Sequence, residues 1–357
     1  MNSKIKCLRE KMKMLNLEGM IVSNPTNIRY LTNITAEGIL LITRKENIFL
    51  TDGRYIEDAQ SKITIDDGII VHDYRDYSAD EYENFFMFCE NVGFEEYYVT
   101  YNGYKELMHK YKANSLQETE GIVERQRLKK DEEEIDLLRK ACKITDDCFN
   151  YLLDFIKIGK TEKEIAFEIE KFFRTNGADG ISFEPIVASG VNSSKPHAIP
   201  TDKKIDVGDV ITLDFGCRYK GYCSDMTRTI FAGYIPEEVK KVYDLVLKNQ
   251  LQTQREYKDG ASIKLLSRMV ENDFKLNGYD LIHALGHGVG LDIHEAPNIS
   301  TRSDNVLREK MVVTNEPGIY LPGRFGIRIE DTVLIGKDAC ENLTKSSKDY
   351  IIVDKQS

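Results

Sequence analysis

Four acidic residues stand where acids are ordinarily scarce. Asp214 lies in VITLDFGC (210–217), and Asp225 lies in the mostly apolar run 222–231 across a turn that includes Gly221. Glu316 lies in MVVTNEPGIY (311–320) and Glu330 in GIRIEDTVLI (326–335), on either side of Pro322-Gly323-Arg324. These runs read as two β-hairpins, although acidic side chains are depleted from strands. A two-residue loop at Tyr219-Lys220 sets Asp214 directly opposite Asp225; a three-residue loop at Pro322-Gly323-Arg324 sets Glu316 opposite Glu330. Opposed residues in an antiparallel pair share a face, with Cβ atoms about 5 Å apart. Two carboxylates held that close repel each other, and an apolar setting calls for a cation between them. Taken singly, each acid reads most simply as a solvent-facing strand residue. Two mirrored pairs argue against that reading.

The histidines point the same way. The chain has six, and four fall in two short motifs: His197 in SFEPIVASGVNSSKPHAIP (182–200), and His283, His287 and His294 in HALGHGVGLDIHE (283–295). Gly286, Gly288 and Gly290 flank His287, so the backbone there can approach a neighbour closely. The spacing of His283 and His287 resembles a helical HExxH zinc site. The glycines disfavour a helix, however, and Ala284 stands where that motif needs Glu. His72 and His109 are isolated and receive no role.

The elements that must position these residues are legible in outline. Residues 4–15 have helical apolar spacing, and 19–23, 38–43, 47–51, 69–71 and 97–100 read as strands, with a turn at Asn24-Pro25. Strands alternating with helical stretches predict a mixed or parallel sheet. The charged stretch ERQRLKKDEEEI (124–135) marks a change of domain, so the boundary is expected at 122/123. Beyond it, helical stretches at 131–157 and 162–176 precede the first hairpin, and stretches at 236–258 and 262–277 precede the second. The order of elements repeats, although the residues do not.

Composition bounds the function. At 357 residues the chain has room for two cores. No apolar run approaches the roughly 20 residues that span a bilayer. The N-terminal residues are rich in Lys, Arg and Glu and lack an apolar signal core, which predicts a cytoplasmic enzyme. A net charge of −10 argues against nucleic-acid binding. The seven cysteines lack CxxC spacing, so neither a disulfide framework nor a structural zinc site is expected. Cys217 and Cys223 approach across the first turn, and no bond between them is expected in a reducing compartment.

The motifs FEPIVASGVNSSKPHA (183–198), LDFGCRYKGYCSDMTRT (213–229), HALGHGVGLDIHEAP (283–297), TNEPGIY (314–320) and GIRIEDTVLI (326–335) together resemble the proline-peptidase branch of the pita-bread metallopeptidases, aminopeptidase P and prolidase. SNPTNIRYLTN (23–33) and LTDGRYIEDA (50–59) resemble the creatinase-type N-terminal domain, so the likeness spans nearly the whole chain. It implies an α/β (α+β) protein: a mixed-sheet, creatinase-like N-terminal domain over 1–122, then a pita-bread catalytic domain over 123–357. It implies two divalent metal ions. Asp214 would chelate one, Asp225 and Glu330 would bridge both, and His287 and Glu316 would complete the second site. His197 and His294 would face the substrate carbonyl, His283 would shape the proline pocket, and Arg328 and Tyr320 would orient the carboxylates from behind. An oxygen-rich ligand set suits Mn²⁺, with Co²⁺ or Zn²⁺ as alternatives. Such ions share a hydroxide that attacks the peptide bond, with Glu316 relaying the proton to the leaving nitrogen.

The resemblance therefore implies an exopeptidase acting on short proline-containing peptides, and a homodimer. Two specificities remain open. Aminopeptidase P removes the residue before proline from longer peptides; prolidase cuts Xaa-Pro dipeptides and must recognise the product-side carboxylate. Asn298 stands where dipeptide-specific relatives commonly have Arg, which favours the aminopeptidase reading. A metal-free peptide-binding protein of the same fold is disfavoured by the intact five-ligand set. A methionine aminopeptidase is disfavoured by the large N-terminal domain and by the context of His294 to Pro297.

Overall fold

The aliphatic runs of the first third of the chain pair into one sheet. In a computed structural model that describes residues 3–64, 67–76, 84–113 and 115–354, these runs form β1 (Gly19–Val22), β2 (Ile39–Thr43), β3 (Asn47–Thr51), β4 (Ile69–Asp73), β5 (Val92–Phe94) and β6 (Leu116–Glu118). Their order is β4-β3-β2-β1-β5-β6. β1–β2 and β2–β3 are antiparallel, whereas β3–β4, β1–β5 and β5–β6 are parallel, which makes the mixed sheet the sequence predicts. Helices α1 (Ser3–Met14), α2 (Pro25–Thr32), α3 (Ile56–Lys62), α4 (Tyr101–Tyr111) and α5 (Ile122–Arg127) accompany it.

Two local expectations fail here. Residues 97–100 are not a strand: they lead into α4, whose first turn is capped by the Thr100 hydroxyl accepting from the Gly103 amide at 3.1 Å. Asn24-Pro25 is not a simple turn either. The Asn24 side chain accepts from the Thr26 amide at 3.0 Å, and Pro25 opens α2, where its missing N–H costs nothing.

The chain divides into two units, Met1–Arg127 and Leu128–Ser357. In the second unit the helices are α6 (Glu132–Phe155), α7 (Glu162–Thr175), α8 (Glu237–Arg255) and α9 (Ile263–Leu276). α6 and α7 both begin in capping boxes, Asp131 with Glu134 and Thr161 with Glu164. Strands β7 (Gly180–Ile181), β8 (Ile186–Ser189), β9 (Val210–Phe215), β10 (Cys217–Tyr219), β11 (Tyr222–Cys223) and β12 (Met226–Ala232) follow α7. Strands β13 (Gly286–Gly288), β14 (Glu295–Ile299), β15 (Val312–Asn315), β16 (Gly318–Leu321), β17 (Phe325–Arg328), β18 (Asp331–Ile335), β19 (Cys340–Asn342) and β20 (Ile352–Val353) follow α9. Two sheets dominate, β20-β12-β9-β8 and β14-β13-β15-β18-β19.

Each half carries its own core. Phe149, Leu152, Ile165, Ile169 and Phe173 of α6 and α7 are buried with Ile211, Leu213 and Phe215 of β9. Val242, Val246, Val270 and Phe274 of α8 and α9 are buried with Val313, Ile327 and Val333 of the second hairpin. Full burial of one such side chain contributes about 1.5–3 kcal/mol. The two hairpins thus sit on rigid, helix-backed supports.

The hairpin registers decide where the acids fall. In the second hairpin Leu321 pairs with Phe325 around the expected three-residue loop. Gly318 pairs with Arg328 and Asn315 with Asp331, so the shared register sets Glu316 opposite Glu330, as the sequence predicts. In the first hairpin the loop is Lys220-Gly221, not Tyr219-Lys220, because Tyr219 pairs with Tyr222. Both loop residues have positive φ, 46° at Lys220 and 89° at Gly221, and Gly supplies the second without strain. Asp214 consequently faces Thr227 rather than Asp225. A shift of two residues preserves the face, whereas a shift of one would have reversed it. Asp214 and Asp225 therefore remain diagonal neighbours on the same side of the sheet.

Candidate metal centre

All five proposed ligands line one cavity of about 920 Å³ in the second unit, together with His197, His283, His294 and Arg328. Asp214 is the penultimate residue of β9 and Asp225 the residue before β12. Glu316 and Glu330 come from the matched breaks between β15 and β16 and between β17 and β18. His287 is the middle residue of β13. The glycines on either side of it are sterically required. A Cβ on Gly286 would lie 2.3 Å from the Thr314 carbonyl oxygen, and one on Gly288 would lie 2.2 Å from that of Ala296.

The two hairpins brace each other at the acids. The Thr227 hydroxyl donates to Glu330 Oε2 at 2.7 Å, and the Glu330 amide donates to the Thr227 carbonyl at 3.1 Å. Reciprocally, the Thr332 hydroxyl donates to the Asp225 carbonyl at 2.7 Å. Thr314 performs the same task for the histidine strand. Its hydroxyl accepts from the His287 amide at 3.0 Å and donates to Glu316 Oε1 at 3.2 Å.

The side chains converge as metal ligands would. One ligand atom from each of Asp225, His287 and Glu330 falls within 4.8 Å of the others. His287 Nε2 lies 3.4 Å from Asp225 Oδ2 and 3.5 Å from Glu316 Oε1. The Gly288 carbonyl can only accept, so the 3.0 Å contact places a proton on His287 Nδ1 and turns Nε2 toward the carboxylates. Asp214 Oδ2 accepts from Arg328 Nη2 at 2.6 Å, while its Oδ1 is buried with no hydrogen-bond partner among the described residues. An orphaned buried carboxylate oxygen is costly unless something positive meets it.

Electrostatics agree. Burial, then the crowding of the other acids, pushes the Asp225 carboxyl up to about 7 and Glu330 well above the ordinary carboxylate range. Burial also raises Asp214, against the pull of Arg328. Burial alone would lower His287, but Asp225 and Glu316 hold it up at about 9. Such a cluster is frustrated without a cation. Divalent ions fit this donor set of carboxylates and one imidazole.

A hydrogen-bonded chain stands behind the cluster. His283 Nδ1 donates to the Ala284 carbonyl at 2.7 Å, and its Nε2 lies 3.1 Å from the Tyr320 hydroxyl. Tyr320 accepts from Arg328 Nη1 at 2.5 Å, and Arg328 also reaches Thr227 Oγ1 at 3.1 Å and the Pro196 carbonyl at 3.2 Å. The guanidinium thus ties Asp214, Tyr320 and the His197 segment together. His294 meets His287 edge to face, with ring centroids 4.3 Å apart. Burial and the nearby His287 lower the His294 pKa, which favours its neutral form. His197 and His294 are exposed on the cavity wall. Cys217 and Cys223 are free thiols that contact different carbonyls, those of Ala141 and Leu291.

Thr227 and Thr314 escaped the sequence reading. Thr227 lies two residues after Asp225, and Thr314 two before Glu316, so each points to the same side as its acid. That spacing was the available signal.

Two helix-backed halves, each presenting acids from a matching hairpin, form the pita-bread architecture of metal-dependent hydrolases. The chain belongs to metallopeptidase family M24, whose model matches residues 136–337, and a creatinase/prolidase N-terminal domain matches residues 4–129. It is 34% identical over 355 residues to an Xaa-Pro dipeptidase of Pyrococcus horikoshii, covering 98% of this chain and 99% of that one. Among solved structures, an Xaa-Pro dipeptidase from Bacillus anthracis superposes with a TM-score of 0.93 at 38% identity, covering 98% of this chain and 99% of the other. An X-Pro aminopeptidase from Thermotoga maritima superposes with a TM-score of 0.88 at 32% identity, covering 96% and 100%.

Proposed function

We propose that this protein is a metal-dependent exopeptidase that hydrolyses the Xaa-Pro bond at the N-terminus of peptides. One observation carries the reading: four carboxylates and an imidazole converge on the wall of a cavity that also presents the His197 and His294 imidazoles. Asp214, Asp225, His287, Glu316 and Glu330 would hold two divalent ions, with Asp225 and Glu330 shared between them. When bound, such ions lower the pKa of a water toward neutrality and polarise the scissile carbonyl. The ligand set suits Mn²⁺, with Co²⁺ or Zn²⁺ as alternatives.

The chain's own groups supply the rest. The Glu316 carboxylate faces the cavity, steadied by Thr314, and takes the proton of the attacking water. It returns that proton to the proline nitrogen, which leaves as a secondary amine once the C–N bond breaks. His197 and His294 donate N–H groups to the carbonyl oxygen as negative charge develops there. His283, fixed by Ala284 and Tyr320, presents a rigid wall to the proline ring.

Peptides longer than a dipeptide suit the cavity better. Its volume of about 920 Å³ stands near the top of the range of roughly 300–1,000 Å³ for small-molecule sites. Among its described lining residues the one Lys or Arg is Arg328, which Asp214 and Tyr320 already engage, whereas Glu170 and Glu184 stand on the wall. A product-side carboxylate would find no unengaged Lys or Arg among these described residues, and a continuing peptide amide needs none. The alternative, a prolidase restricted to Xaa-Pro dipeptides, is favoured by the names of the Pyrococcus and Bacillus relatives. Rates on an Xaa-Pro dipeptide and an Xaa-Pro-Yaa tripeptide, measured with Mn²⁺, decide between them. Faster tripeptide cleavage is expected, and dipeptide-only turnover would establish the alternative.

The reading extends to a cytoplasmic homodimer. Among the described residues no helix is long and apolar enough to cross a membrane. Sedimentation at micromolar concentration should give twice the chain mass.

A further inference from the structure

Glu162 opens α7, is fully buried and does not line the cavity. Its carboxylate nevertheless grips both ends of the segment that carries His197. Oε1 accepts from the Ser189 amide at 2.7 Å, the Ser189 hydroxyl at 2.8 Å and Asn192 Nδ2 at 3.1 Å. Oε2 accepts from the Thr201 amide at 2.9 Å, the Thr201 hydroxyl at 2.6 Å and Asn192 Nδ2 at 3.1 Å. Ser189 ends β8 and Thr201 follows Pro200, so these contacts bracket residues 190–200.

Every one of these partners is a neutral donor. Burying a carboxylate among neutral groups costs several kcal/mol unless its lone pairs are met. Burial pushes the Glu162 carboxyl up, but the bonds from Thr201, Ser189 and Asn192 outweigh it and hold the group below its ordinary range. The same segment is pinned at two further points. Ser193 Oγ accepts from the Gly326 amide at 3.0 Å, and Arg328 Nη1 donates to the Pro196 carbonyl at 3.2 Å. Pro196 through Pro200 form part of the cavity wall. The exposed His197 ring stands on that wall and no hydrogen bond joins it to another described residue, so the backbone of this segment sets where it sits.

We propose that Glu162 is a positioning residue that sets the His197 imidazole against the substrate by clamping both ends of its segment. The inference rests on the reading of His197 as a substrate-contacting group. Gln at this position turns one acceptor oxygen into an N–H₂ group facing donors, which opens the clamp on one side. A displacement of about 1 Å at a reacting group can cost on the order of a hundredfold in rate.

The test is a double-mutant cycle on the Mn²⁺-loaded full chain, reading kcat, KM and bound metal per chain. Glu162→Gln should lower kcat by roughly ten- to a hundredfold with KM and metal content little changed. Placed on His197→Ala, it should add less than about twofold, because the group it positions is gone. An equal loss in both backgrounds would overturn the inference and leave the His197 reading standing. Wild-type kcat in His197→Ala would overturn both. Should Glu162→Gln not fold, Asn192→Ala removes one donor from the same clamp. It should show a smaller kcat loss that also vanishes in the His197→Ala background, and a loss that persists there would overturn the inference.

Discussion

Burial and the neighbouring acids disfavour the charged forms of Asp225 and Glu330 and push both carboxyls up. Divalent ions would favour the ionised carboxylates as ligands. Asp225→Asn or Glu330→Gln preserves volume and removes the charge, so turnover at saturating Mn²⁺ should fall by at least roughly a thousandfold, the equivalent of several kcal/mol of lost transition-state stabilisation. Near-wild-type turnover in either variant after full metal loading would refute the shared-ligand assignment. Arg328→Lys replaces a fork that grips Asp214, Tyr320, Thr227 and Pro196 with a single ammonium. Metal affinity measured by titration calorimetry should drop about ten- to a hundredfold, and an unchanged affinity would show that Asp214 needs no orienting partner. The acids and histidines were legible in the sequence because their types are unusual in strands and glycine-rich segments. Thr227, Thr314 and Glu162 were not. Threonine is ordinary in a strand, and a glutamate opening a helix is ordinary too. Their roles depend on what another segment brings opposite them.

At the scale of elements, the second hairpin was readable to the residue because Pro322-Gly323-Arg324 marks its loop, whereas the first was misread by two positions. Lys220 adopts a positive φ that nothing in its side chain announces. The face of each acid survived the error because side chains alternate with period two. Gly216 holds this hairpin together: a Cβ there would lie 1.8 Å from the Ser224 carbonyl oxygen. Gly216→Ala should therefore destabilise the protein by about 1–3 kcal/mol and weaken metal binding, read by denaturant unfolding and calorimetry. Wild-type values for both would contradict the register described. In the first unit Glu95, the residue after β5, holds the start of α2, accepting from the Ser23 and Asn24 amides at 2.6 and 2.7 Å and from Asn27 Nδ2 at 2.7 Å. Burial outweighs these bonds and raises its carboxyl from 4.5 to about 7. A raised acid binds its proton more tightly in the folded state. Its contribution therefore turns unfavourable as pH rises from about 4.5 to 7, and reaches on the order of 3 kcal/mol above that window. Hydrogen exchange at β1 and β5 should show protection in the wild type falling between pH 5 and 8 relative to Glu95→Gln. A constant difference across that range would contradict the raised carboxyl.

For the whole molecule, the alternation of strands and helices and the repeated order of helix pair and hairpin made the α/β architecture readable from the chain. The cavity was harder to see. Its walls combine Phe167, Phe183, Ile199 and Ile293 from separate segments, and no local pattern connects them. Substrate preference depends on those walls and is for the same reason not legible locally, whereas each metal-ligand candidate stands in a motif of its own. The concentration of buried carboxylates in the second unit also ties its stability to the cation. An ion at one hundred times its dissociation constant should stabilise the folded state by about 2.7 kcal/mol. Chelation should accordingly lower the thermal unfolding midpoint, and Mn²⁺ should restore it. The most direct test of the account is a titration of chelator-stripped protein with Mn²⁺ while hydrolysis of an Xaa-Pro-Yaa tripeptide is followed. Negligible hydrolysis is expected at the start, with a rise to a plateau at two ions per chain. Undiminished hydrolysis by the metal-free protein would contradict it.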